Sequence, residues 1–429
     1  MARGVKRVAE QRGREEREFG RLLDGVELPK IAPVRQNIAA PAALGDVRSE
    51  VRAALEGVEL PRGEIAVGVG SRGVGRVGEI VAALVEVLKE AGASPFVLPA
   101  MGSHGASTAE GQAEVLRHLG VSEETVGCPI RATMEAVEVG RTPAGVPVYM
   151  DENAYRAAAI VVVNRIKPHT AFRGPVESGP TKMLAIGLGK QRGAHAVHAA
   201  GWGEIHRTIP EAARVVVETG RVAFGIGVLE TVGEKPCRIV ALPADKLEEG
   251  ERPLLEEAKR NLPRLPFSEL DLLIVGEIGK NISGDGADPN VTGRFPTPYA
   301  SGGPEVGRMV FLDLTEETGG NANGLGMADV VTERLVSRMD PVSTYTNALT
   351  STTPAPVRIP MAMPTDQLAI SAALAMCAGL SPPEARVAWI ENTLQLEHLW
   401  VSEALLEEVE AAENMQPLGE ARPIRFDAD

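Results

Sequence analysis

At 429 residues, the chain has room for two or three domains at about 150 residues each, and for a large core. Its 58 acidic residues outweigh its 44 basic ones, for a net charge of -14, which argues against a nucleic-acid or anionic-membrane partner because both want a basic face. Aromatic residues make up only 3%, removing the usual base-stacking platforms. No apolar run reaches the roughly 18 residues of a membrane span. The opening MARGVKRVAEQRGREEREFG is charged throughout, without the apolar core of a signal peptide. Cys128, Cys237 and Cys377 are far apart and odd in number, as expected of reduced thiols in a cytoplasmic enzyme.

In chain order, the first 45 residues read as a charged, then Pro-punctuated arm holding a strand or two. From there strands and helices alternate. EIAVGVGS (64–71) is a strand, 75–92 a helix, 94–100 a strand and 108–120 a helix; YRAAAIVVVNRI (155–166) is apolar enough for a strand buried on both faces. Strands follow at 222–230 and 237–244, then a charged helix to residue 262 and a further buried strand at 270–279. This alternation predicts an α/β fold, a parallel sheet with helices on both faces. Beyond a Gly-, Pro- and Thr-rich section come a strand at 309–315, helices at 328–339 and 365–379, and an amphipathic stretch at 387–413. The NLPRLPFSEL linker divides the chain into domains 1–266 and 267–429. The second is expected to be α/β and to close over the first, with its last helix packing back. No internal repeat is present.

Only ten lysines occur, yet Lys167, Lys182 and Lys190 fall close together, and four of seven histidines (His169, His195, His198 and His206) lie in or just after that stretch. Crowding of scarce ionisable residues marks 164–206 as chemical. Gly68, Gly70 and Gly73 form a G-x-G-x-x-G between a strand and a helix, but the next strand ends without the acid that holds an NAD ribose. A loop on a single phosphate, with Ser71 and with Arg72 gripping an anion, fits better; the bland alternative is a tight turn. His104 and His169 each follow a strand, so three strands deliver polar groups at their carboxyl ends, where open α/β sheets bind ligands. Histidines there can exchange protons near neutral pH; the competing reading is local capping. His195 and His198 are weak evidence for a metal, and Asp285 and Asp288 in GDGADPN read more readily as a solvated turn than as a cation loop.

Taken together, Ser71–Arg72, GSHG with His104, KPH with His169, SGPTK with Lys182, and then His198 resemble the nickel-dependent lactate racemase family across roughly residues 45–280. The resemblance implies an isomerase, a racemase or epimerase inverting C2 of a 2-hydroxy acid through hydride transfer to a nickel pincer nucleotide. It implies that Lys182 tethers the cofactor, that His198, sixteen residues on, ligates nickel, and that His104 and His169 are the acid/base pair. Gly70, Ser71, Arg72 and Gly73 fall to the cofactor loop, with Arg72 also the substrate's carboxylate clamp. Departures are visible: Val69 and Gly70 stand where the family has its loop aspartate, Gly73 replaces a proline, Gly105 an arginine, and Pro180–Thr181 a Gly-Arg pair. No second-domain Gln or Lys can be matched. These changes point to a sugar acid or dicarboxylate in place of lactate, with Asn321, Asn323, Thr346 and Asn347 as candidate side-chain selectors. A small-molecule partner is expected, and a homo-oligomer is compatible with the sequence. Two other readings stay open: a zinc-type hydrolase using His195, His198 and His206 with Glu204, and a non-catalytic sugar-acid or nucleotide binding protein.

Overall fold

A computed structural model describes residues 2–71, 74–377, 379, 381 and 384–426. The chain divides into two compact units, one of residues 40–262, the other of residues 1–39 with 263–429.

The first unit is built on a five-stranded sheet ordered Ala93–Pro99, Gly63–Val69, Ala159–Arg165, Val222–Thr231, Lys235–Pro243. Its first four strands are parallel and the last is antiparallel, an edge that the expected all-parallel sheet did not include. Alternating side chains divide between the two faces, as strand geometry requires. Ile65, Val67, Val97, Val161 and Val163 pack on one side with the helix Val77–Glu90. Ala66, Leu98, Ile160 and Val162 pack on the other with the helices Ile205–Glu218 and Leu247–Asn261. Both faces are therefore covered, which is why these strands read as continuous apolar runs.

The second unit holds an eight-stranded sheet, ordered Met361–Met363, Val330–Thr332, Glu305–Leu314, Glu269–Ile278, Val387–Asn392, Gln395–Ser402, Ile31–Gln36, Met415–Pro417. The N-terminal arm belongs here and not with the first domain, because Ile31–Gln36 pairs antiparallel with Gln395–Ser402. The division between Leu262 and Pro263 falls inside the linker singled out from the sequence. The amphipathic stretch at 387–413 is mostly a β-hairpin. Only Leu406–Ala411 is helical at its end, and Leu405 and Val409 bury in this unit's own core. Among the described residues no helix is long and apolar enough to cross a membrane, and all three cysteines are free.

Candidate functional site

Numbered within the five-stranded sheet of the first unit, the strand order is 2-1-3-4-5. The order reverses between Gly63–Val69 and Ala159–Arg165, and the crevice beyond the carboxyl ends of such a pair is where doubly wound sheets bind ligands. Gly70 leaves the first of these strands against Met183 and Asn164, and a Cβ at this position would stand 2.8 Å from Met183 Cε. A side chain here would have to displace the end of Met183. Ser71 is half-buried beside it; Arg72 and Gly73 lie outside the described residues. Further on, Gly75 N–H donates to Glu230 Oε1 at 2.8 Å. Arg165 at the end of the neighbouring strand pairs with Glu230 at 3.1 Å and with Glu234 at 2.7 Å. Burial pushes the Glu230 carboxyl upward against the pull of Arg165. This triad fixes the far side of the glycine loop.

The His169 loop is tied by two residues that the sequence reading missed. Ser178 Oγ accepts from Lys167 N–H at 2.7 Å and donates to Lys167 O at 2.6 Å. Glu177, fully buried, accepts from His169 N–H at 2.8 Å, Gly174 N–H at 3.3 Å and Arg173 Nη1 at 3.3 Å, and pairs with Lys259 at 3.0 Å. Ala171 N–H donates to His169 Nδ1 at 3.0 Å. A ring nitrogen that accepts carries no proton, so neutral His169 bears its proton on Nε2.

The next segment turns through Gly179–Lys182 into a π-helical turn, Met183–Gly187, and then the helix Lys190–Ala199. Single π turns recur at functional sites. Here the turn and helix gather three of the singled-out residues around two aromatic rings. Phe172 lies 4.5 Å from the His169 ring, and Lys182 Nζ stands 5.8 Å from the Phe172 centroid. Trp202 lies 6.2 Å from His169 and edge-on to His198 at 5.6 Å. His198 Nδ1 faces Ala194 O at 2.6 Å, which places its proton on Nδ1 and leaves the lone pair on Nε2. Burial lowers the pKa of His198; the Ala194 carbonyl opposes this, while Lys182 and His195 lower it further. A neutral imidazole with one nitrogen held by a carbonyl is the usual form of a metal ligand.

His104 reaches the same segment by another route. Its loop docks on the π turn, with Gly102 N–H donating to Gly187 O at 3.0 Å. Its Nδ1 faces Met101 O at 2.8 Å, so its Nε2 carries the lone pair. Gln112 Nε2 donates to Gly102 O and His104 O. Behind Gln112, Lys190 donates to Gln112 Oε1 at 3.3 Å and pairs with Asp151 at 2.8 Å, both ends fully buried. Lys190 was counted with the chemical lysines, yet it is an internal strut. Burial drives Asp151 up and Lys190 down, each against the attraction of the other.

Residues 69–208 match the lactate racemase N-terminal domain. That stretch, about a third of the chain, is lactate racemase-like. Its fold is similar to the lactate racemase apoprotein from Thermoanaerobacterium thermosaccharolyticum, at 13% identity and a TM-score of 0.51, over 84% of this chain and 93% of that one. A Thermotoga maritima protein from a structural genomics consortium matches at 15% identity, over 64% of this chain and 71% of that one. Its TM-score is 0.48. No curated protein matches the sequence. The lactate racemase domain match contains every residue placed in the crevice from Gly70 to Trp202.

Other candidates take structural places. His195 and His206 are exposed, and among the described residues no group of three or more His, Cys, Asp or Glu is arranged to hold a metal. Asp288 is buried, not solvated, and caps the turn Pro289–Thr292 by accepting from Asn290 N–H at 2.9 Å. Asp285 accepts from Asn323 at 3.2 Å. Asn321 and Asn347 both donate to Ser343 O, and Thr346 donates to Val342 O. These side chains tie backbone within the second unit.

Proposed function

We propose that the chain is an isomerase that inverts C2 of a 2-hydroxy acid. The observation that carries this reading is the gathering of His169, Lys182 and His198 around Phe172 and Trp202 at the reversal of strand order. The donor set fits a nickel pincer nucleotide: an amine to anchor it, a neutral imidazole with a free Nε2 lone pair suited to nickel, and apolar rings to flank a flat group. Lys182 would hold the nucleotide and His198 its metal. When bound, that group supplies the hydride acceptor that protein side chains lack.

This chain's own residues do the rest. His104 Nε2, an acceptor at rest, takes the proton of the substrate hydroxyl and returns it to the product oxygen. His169, with its proton on Nε2, donates a hydrogen bond to substrate oxygen. Glu177 and Gln112 hold the two loops that carry these rings. Arg72, assigned from the sequence alone, binds the carboxylate as a bidentate clamp. The departures around Arg72 and Lys182 favour a polyhydroxy acid or dicarboxylate over lactate. The test is a panel of 2-hydroxy acids given to cofactor-loaded protein, followed by chiral analysis. Inversion of a sugar acid faster than lactate supports the reading. Lactate turning over as fast as any other removes the substrate claim, and no inversion of any acid removes the activity.

A further inference from the structure

We propose that Glu251, on the helix Leu247–Asn261, is a positioning residue whose sealed carboxyl group sets where the Lys182 amine stands. The proposal rests on reading Lys182 as the attachment point. Glu251 Oε1 accepts from both Thr181 N–H at 2.6 Å and Thr181 Oγ1 at 2.7 Å. Thr181 immediately precedes Lys182, so the residue entering the lysine is held at two points, its N–H and its hydroxyl. Gly179 opens the same turn at φ +90°, and a Cβ there would stand 2.5 Å from Glu251 Oε2. The carboxyl occupies space that only glycine leaves. Its second oxygen, Oε2, is buried without a hydrogen-bond partner.

A buried carboxyl with an orphan oxygen destabilises a fold where an apolar side chain would not. What the carboxyl does that leucine cannot is orient Thr181. Burial pushes its pKa from an ordinary 4.5 to about 8, against the two Thr181 bonds, and Glu248 on the same helix adds to the rise. At neutral pH it is therefore an uncharged acid. The cations nearby are engaged elsewhere: Arg214 and Arg252 bond Glu248, and Arg238 on the strand Lys235–Pro243 bonds Glu257. Glu230 on Val222–Thr231 is held by Arg165. Asp245 and Lys246 stand in the turn before the helix, and Lys182 ends the supported turn.

Two measurements on the unloaded full-length protein test this. The first is the acylation rate of Lys182 by an N-hydroxysuccinimide acetate ester, resolved by peptide mass spectrometry against exposed Lys235 in the same digest. Glu251→Gln keeps the acceptor and the shape, so Lys182 should label as in wild type. Glu251→Leu fills the space without the bonds and should change the rate at least about fivefold, the equivalent of one hydrogen bond. The second is urea unfolding against pH. The folded state holds a proton that the unfolded state releases near pH 4.5, so stability falls as pH rises from there to about 8. The folding constant of wild type should drop by up to the order of 10³ across this window, and Glu251→Gln should lack this component. Unchanged Lys182 labelling in Glu251→Leu overturns the proposal, as does an identical pH profile for wild type and Glu251→Gln. If Glu251→Leu does not fold, Thr181→Val removes one of the two bonds and must shift the labelling, or the proposal fails. Neither readout needs nickel or cofactor, so failure of the racemase reading would leave both results standing.

Discussion

Replacing Glu177 with alanine should unhinge the His169 loop, and the cost can be worked from its contacts. The carboxylate is fully buried and accepts from two backbone N–H groups, those of His169 at 2.8 Å and Gly174 at 3.3 Å. Stripping a buried donor of its acceptor costs about 1–3 kcal/mol each, hence about 2–6 kcal/mol for the two. The ionic partners add little. Lys259 is 26% exposed and keeps Glu256 at 3.0 Å, and Arg173 keeps its bond to His169 O at 2.6 Å, so each lost pair is worth under about 1 kcal/mol. Water entering the vacated space relieves part of the penalty, which places the expected loss near 2–4 kcal/mol. Glu177→Gln retains one acceptor oxygen and should lose about half as much. Urea unfolding measures both, and amide hydrogen exchange should show protection lost at His169 and Gly174 first. A loss below about 1 kcal/mol for Glu177→Ala would refute the claim that this carboxylate holds the loop.

His104→Ala should slow inversion about 10²–10⁴-fold in both directions, as expected for loss of a proton-transfer group, and His169→Ala should slow it too through loss of its hydrogen bond to substrate oxygen; near-normal rates would remove that histidine from the mechanism. Asp151→Asn or Lys190→Met alone should destabilise by about 3–5 kcal/mol, since each leaves a buried charge, while the double change Asp151→Asn with Lys190→Met, which keeps an acceptor at the helix cap, should restore most of it. If the double variant is the least stable of the three by urea unfolding, the strut reading is wrong.

Much of the fold was legible because burial on both faces writes itself as apolar runs: Ala159–Arg165 sits within the stretch read as a strand. That reading began too early because Asp151 caps a short helix, Glu152–Arg156, accepting from Asn153 and Ala154 N–H. The expected helix 328–339 splits, since β-branched Val330 and Val331 pair with Val310 and Phe311 before Thr332 caps Glu333–Arg338. The hairpin Val387–Asn392 with Gln395–Ser402 was hidden for a related reason. Its apolar positions suit either period until the neighbouring strand Glu269–Ile278 decides. In the candidate site, scarce lysines and histidines drew attention to Lys182 and His198. Glu177, Glu251 and Glu230 carried no such signal, because acids are the commonest charged residues of the chain and only tertiary contacts single these out. Trp202, one of three tryptophans and inside the same stretch, was the one legible clue passed over.

The measurement that tests the central claim most directly is the intact mass of the protein produced together with the enzymes that make the nickel pincer nucleotide, with peptide mapping of any adduct. The account predicts a covalent adduct on Lys182, absent from Lys182→Arg, which keeps the charge but cannot form the bond. An adduct that persists in Lys182→Arg, or wild-type protein that stays unmodified while a lactate racemase co-produced as control is loaded, would contradict it.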